Sequence, residues 1–257
     1  MSIGGVSAKD CSRPVPTFAT STSKAFVVRI VMRLETVRAA RMDLEEVWRI
    51  REEEVYPRLF GPASRGIFPL NSEVFSRFGP QEIDPRWLTM GVFEFAPTSA
   101  RQSWLYVTSG YSNPWNDDPT DYNPEGESGA GVEFTLTTTE QADWAIQTLQ
   151  SMLAFDLLLD AGRFPPSQRL FLHDRVPLHG PVNGRSECLV RNLIMVEPEG
   201  FDQEFLLPSG VVILVTFIGT TDAETAFART EGTDGLIERL RAAGHFPSID
   251  PGRSSVC

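Results

Sequence analysis

Cysteine is scarce in this chain. Cys11, Cys188 and Cys257 are the only three, odd in number and far apart. That excludes a disulfide framework and a Cys-x-x-Cys metal site, and it points to a reducing compartment. Long apolar runs are missing too. The best N-terminal stretch, Ala25 to Met32, is short and carries Arg29 inside it, so neither a membrane span nor a secretory signal is expected and the protein reads as cytoplasmic. The signatures of common catalysts are also lacking: no G-x-S-x-G elbow, no H-E-x-x-H, no P-loop. Gly129-Ala130-Gly131 leads into a strand rather than out of one and lacks a third glycine, so it reads as close backbone packing and not as a dinucleotide fingerprint. No cofactor is expected.

Basic residues are the next shortage. Lys and Arg number 23 against 34 acids, a net charge of −11. Such a field repels phosphate, which argues against general nucleic-acid or anionic-membrane binding. The shortage is concentrated: between Arg101 and Arg163 there is no Lys or Arg at all, while the same stretch holds ten acids. A block of one sign suits a basic partner, attracted over a Debye length of about 10 Å.

What is present reads as alternating apolar patterns. Residues 1–34 show little periodicity and read as an arm preceding the domain, with Met42 a possible true start. Asp43 and Glu46 have capping-box spacing, and Leu44, Val47, Trp48 and Val55 recur at helical intervals up to Pro57. A Pro/Gly-punctuated stretch follows to about residue 86. Strands are expected at Leu88–Phe95, Trp104–Thr108, Val132–Leu136, Leu170–Leu172, Leu189–Val196, Glu204–Leu207 and Val211–Ile218. In the third of these, Glu133, Thr135 and Thr137 alternate with apolar residues, the period of a half-buried strand. Thr138 and Gln141 have capping-box spacing before a helix reaching Asp160 and closed by Gly162. Thr221 and Glu224 repeat that spacing, and a last helix fits Gly235 to Ala243. Strands and helices do not alternate regularly, so the fold class is α+β: a single domain, residues 35–247, with a mostly antiparallel or mixed central sheet flanked by helices, then a tail at 248–257.

Tyr111 to Ser128 holds Pro114, Pro119 and Pro124 and must be a long loop. It carries Asp117, Asp118, Asp121, Glu125 and Glu127 together with Tyr111, Trp115 and Tyr122, ring types common at interface hot spots. These eight residues are the candidate partner-binding set; the competing reading is that the rings fold back onto their own domain. The prolines forbid the regular helix that a D-D-x-x-D diphosphate site would need, although loop carboxylates could hold calcium. His173, His179, Asp174 and Cys188 could make a zinc site only with unusual spacing, and turn or core hydrogen bonding is the simpler reading. His245 sits at a helix end, where a cation complements the dipole. A rival reading makes the protein a metal-assisted hydrolase using Asp117, Asp121 and His179; a third makes it a scaffold with several weak partners.

Several runs resemble the suppressor of fused domain family, its bacterial branch above all. They are Arg51–Gly61 (REEEVYPRLFG), Trp104–Ser112 (WLYVTSGYS), Ser128–Leu136 (SGAGVEFTL), the helix from Trp144 (WAIQTLQ), Pro177–Gly180 and Ser209–Thr221 (SGVVILVTFIGTT). Together they span about residues 45–243. The resemblance implies a single α+β domain without an established catalytic activity. Animal members are regulators that hold back transcription factors, and bacterial members are proposed as immunity proteins in polymorphic toxin systems. Ser109, Gly110, Gly129, Gly131, Glu133, Trp144 and Gly219 match the family pattern, and most read as structural.

Overall fold

Apolar residues on both faces of the strands decide the architecture. The computed structural model describes residues 43–165 and 168–257; the arm 1–34 and the start at Met42 lie outside the described residues. In chain order the elements are α1 (Leu44–Arg49), a π-helical segment (Ile50–Val55), α2 (Tyr56–Phe60), β1 (Ala63–Pro69), α3 (Ser72–Ser76), a 3-10 turn (Pro85–Thr89), β2 (Gly91–Phe95), β3 (Trp104–Ser109), a second 3-10 turn (Pro119–Asp121), β4 (Glu127–Thr138), α4 (Asp143–Asp160), β5 (Arg175–Pro177), β6 (Asn192–Val196), β7 (Glu204–Leu207), β8 (Gly210–Thr220), α5 (Asp222–Glu231) and α6 (Thr233–Ala242).

The strands form one mixed sheet in the order β1-β2-β3-β4-β8-β6-β5, with β7 also on β8. Every pairing is antiparallel except β4 with β8, which run parallel from Val132 opposite Ile213 to Leu136 opposite Phe217. One face packs on α4 through Val92, Tyr106, Phe134, Leu193, Met195 and Phe217. The other is shared. The N-terminal helices cover Phe95, Leu105, Val107 and Leu214, and α5 with α6 cover Ile194, Val196 and Ile218. The result is the expected α+β domain with helices on both sides of the sheet.

Four expectations need correction. Val132–Leu136 is not half-buried: Glu133 and Thr135 are as inaccessible as Phe134, because the polar face lies under the N-terminal helices and its groups bond one another, as in the 2.6 Å contact of Thr135 with Thr216. Thr138 and Gln141 do not cap a helix. Thr138 closes β4, and α4 starts later, with Ala142 at its N-cap and no side-chain cap; the Ala142 amide donates instead to Tyr106 Oη. Leu170–Leu172 is a turn rather than a strand, and its Phe171 and Leu172 are exposed. The stretch before residue 86 contains β1 and α3, which its Gly and Pro residues obscure.

The capping box at Thr221 and Glu224 is formed on both sides. Residues 248–257 pack into the domain. Ile249 bridges Thr138, and the buried Arg253 guanidinium reaches both Glu224 oxygens at 2.6 Å.

Candidate functional site

The loop between β3 and β4 rises from a buried polar base. Val47, Arg51 and Val55 are spaced by four, so the N-terminal helix turns one face to the sheet, and Arg51 on that face is 1% exposed. Its Nε donates to Ser109 Oγ at 3.0 Å, and one Nη donates to Asn113 Oδ1 at 2.6 Å and Ser112 Oγ at 3.2 Å. Because Arg51 lies in the π-helical segment, the adjacent Glu52 reaches the same place and accepts from Ser109 Oγ at 2.7 Å. Glu133 enters from β4. Its Oε1 accepts from the amides of Gly110 and Ser112 and from Ser112 Oγ, and its Oε2 from Thr108 Oγ1. The Arg51 guanidinium lies 4.0 Å from Glu133. A buried charge pair surrounded by satisfied donors holds the first residues of the loop in one geometry.

The far end is clamped as well. Ser128 Oγ bonds Ser112 O and Ser209 Oγ, and Ala130 N donates to Tyr111 O. Gly129 has φ +56°, and a Cβ there would stand 2.4 Å from Asn113 O, so only glycine permits this close approach.

The candidate residues separate on this frame. Tyr111 is 3% exposed. Its hydroxyl donates to Asp156 at 2.8 Å, and Arg169 lies 4.8 Å over its ring. It is a core ring and leaves the contact set, as the fold-back alternative requires. Asp156 also accepts from the Leu170 amide at 2.6 Å, and burial holds its carboxyl above the usual range. Trp115 is half-buried edge-on against Trp48, ring centres 5.9 Å apart, and neither indole N–H has a partner among the described residues. Tyr122 is half-buried on the aromatic cluster beneath the N-terminal helices; burial and the carboxylates of Asp117, Asp43 and Asp118 raise its phenol.

Asp117, Asp118, Asp121, Glu125 and Glu127 are all exposed. Asp118 caps the short 3-10 turn by accepting from Thr120. Asp117, Asp121, Glu125 and Glu127 have no basic partner within 4 Å among the described residues. Of the other five acids of the block, Glu133 and Asp156 lie inside, Asp143 meets Arg65 at 2.7 Å and Asp160 lies 3.9 Å from Arg169, while Glu140 is exposed just beyond β4. A cavity of about 780 Å³ opens beside Trp115 and Asp117, its charges balanced by pairs such as Arg86 with Asp84 at 2.6 Å.

Among the described residues no three His, Cys, Asp or Glu side chains lie together as a cation site. Asp117, Asp121 and His179 are therefore not assembled, nor are His173, Asp174, His179 and Cys188. The Cys188 thiol is buried with the Val190 carbonyl as its partner. His173 approaches Asp234 at 3.9 Å. No helix among the described residues is long and apolar enough to cross a membrane.

A family model described as suppressor of fused protein matches residues 86–254, well over half of the chain. Among solved structures, Drosophila Suppressor of Fused is similar at 18% identity and a TM-score of 0.50, over 65% of this chain and 42% of that one. This chain thus spans less than half of the Drosophila protein's length. The Sufu–Fu complex is similar at 18% identity and a TM-score of 0.54, over 83% and 91%. A suppressor of fused homologue from Neisseria gonorrhoeae gives 17% identity and a TM-score of 0.48, over 72% and 93%. No curated protein matches significantly.

Proposed function

The chain belongs to the suppressor of fused family, and from that premise we propose that it is a non-enzymatic cytoplasmic binding protein that sequesters a basic protein partner, as an immunity-type factor neutralising a toxin or effector. One observation carries the reading. Four carboxylates without basic partners among the described residues, Asp117, Asp121, Glu125 and Glu127, stand on a loop whose two ends are locked by buried hydrogen bonds. The ends of the loop are fixed before binding, so less conformational entropy is lost on association. A toxin acting on nucleic acid has a basic cleft, and a rigid acidic loop can occupy it as a phosphate mimic. The family resemblance supports the class of function: the related Sufu–Fu structure is itself a complex.

The test is capture of the partner from source lysate at low and moderate salt, followed by stopped-flow association. Asp117→Asn, Asp118→Asn and Asp121→Asn together keep the shape of the loop, because asparagine retains the capping oxygen of Asp118. The triple variant should associate about tenfold more slowly at low salt and lose most of its salt dependence. Unchanged kinetics would remove the loop from the mechanism.

A further inference from the structure

A groove whose lining includes none of the acidic loop's residues opens elsewhere on the domain. It has a volume of about 1000 Å³ and runs between α4 and residues 168–182. Most of α4 is buried, but Trp144, Gln147, Ser151 and Phe155, at spacings of three and four, form a stripe that stays partly open and lines the groove. The floor is apolar: Phe155 stacks on Phe78 with ring centres 5.6 Å apart, and Val176 and Val182 close it from the opposite side. Phe171 stands on the rim, 61% exposed.

Unlike the loop, this surface carries basic side chains. Arg77, Arg169 and Arg175 line it against a single carboxylate, Asp174, whose Oδ2 already accepts from the Phe171 amide. Arg169 and Arg175 are held from behind, by Asp156 and by Ala228 O with Thr233 Oγ1. Arg77 is exposed and donates only to Ser151 Oγ, at 3.2 Å, with no carboxylate partner among the described residues. Arg169 is neutralised by Asp156 and Asp160, which leaves the Arg77 guanidinium as the available positive charge beside apolar walls, and that pairing selects ligands that are both apolar and acidic.

We propose that the groove between α4 and residues 168–182 receives a peptide segment of a protein partner in which apolar side chains flank at least one carboxylate, the carboxylate meeting Arg77 and an apolar side chain packing on Phe171. The proposal does not rest on the acidic loop. It makes the protein a two-signed binder, with one face for a basic surface and another for an acidic, apolar segment.

A displayed library of random linear peptides, selected on the full chain, tests it directly. The enriched peptides should combine Asp or Glu with Phe, Leu or Trp. A fluorescein-labelled synthetic copy of the strongest should bind the wild type at least tenfold more tightly than Arg77→Glu, and at least fivefold more tightly than Phe171→Ser. Both substitutions are at exposed positions, and an unchanged melting temperature would show that the loss is local. Asp117→Asn with Asp121→Asn should leave this binding unchanged, which separates the groove from the loop. Basic peptides whose binding is lost in Asp117→Asn with Asp121→Asn belong to the loop and do not count for the groove. Absence of acidic, apolar peptides from the enriched set, or affinity indifferent to both groove variants, would overturn the proposal. So would binding of dodecanoate at the groove with no peptide competing for it, since the occupant would then be a small amphiphile.

Discussion

An Arg51→Met substitution takes a guanidinium out of a site 1% exposed and leaves Ser109, Ser112, Asn113 and Glu133 facing an apolar chain. Breaking a buried charge pair by removing one partner costs about 3–5 kcal/mol, and urea unfolding should show a loss of that size. Lysine at this position restores the charge but not the fork that reaches four acceptors at once, in Ser109, Ser112, Asn113 and Glu52, so it should recover only part. A loss under about 1 kcal/mol for Arg51→Met would mean that the network contributes little net stability. Glu224 gives a pH test. Burial pulls its carboxyl upward, but the Arg253 hydrogen bonds and the Thr221 and Val256 amides outweigh burial and hold it below the usual range. A carboxylate lowered on folding stabilises the fold above its unfolded pKa, and this is lost as pH falls through the lower folded value. Stability should therefore fall below about pH 4.5, the upper end of the ordinary carboxylate range, and Glu224→Gln should flatten that fall. Asp156, raised by burial, acts with the opposite sign: protonating it on acidification relieves a cost, so Asp156→Asn should steepen the same limb. Urea titrations between pH 3 and 7 check both.

Among the elements, those with strong local periodicity were legible from sequence. α4, the capping box of α5 and the β8 run all answer to short-range spacing that the fold respects. β1 and α3 were not, because seven residues interrupted by Gly66 and closed by Pro69, and a helix of only five residues, give no window long enough for a period to emerge. Leu170–Leu172 misled for the opposite reason: three apolar residues imitate a strand, yet the Leu170 amide bonds Asp156 and the Phe171 amide bonds Asp174. The polar half of β4 was read as solvent-facing because alternation reports the two faces of a strand and not what covers them. For the loop, the acids were visible and the clamp was not, although Val47, Arg51 and Val55 at intervals of four put an arginine on an apolar stripe and could have signalled it. Glycines make the clamp testable. Gly129→Ala should destabilise by at least about 2 kcal/mol, since the new Cβ would sit 2.4 Å from Asn113 O at a positive φ. Gly162 has φ +67° with nothing within 4 Å, so Gly162→Ala should cost only about 1 kcal/mol. Thermal unfolding of the two variants side by side checks the contrast. Comparable losses would mean that the close approach at the foot of the loop adds nothing.

For the molecule as a whole, the composition of net −11 conceals an uneven surface: carboxylates gather on one loop, and an arginine-lined groove runs beside α4. No sequence window could show this, because the groove unites residues 77, 144–159 and 168–182. The same long-range closure governs the sheet. β1 through β4 pair in sequence order, and β5 to β8 pair among themselves, so the parallel pairing of β4 with β8, extended by the Thr138–Ile249 bridge, joins two halves that each close locally. Such a seam brings together segments far apart along the chain, and loop-closure entropy makes such contacts late to form. Folding order is therefore written into the topology. Leu214→Ala on β8, beside the seam and fully buried, should lose about 2–5 kcal/mol, almost all of it as faster unfolding. Leu105→Ala within the first half should instead slow folding, and stopped-flow chevrons separate the two. Equal slowing of folding by both would mean that the halves form together; the expected split would make the β4–β8 line the place where the domain first comes apart under denaturant.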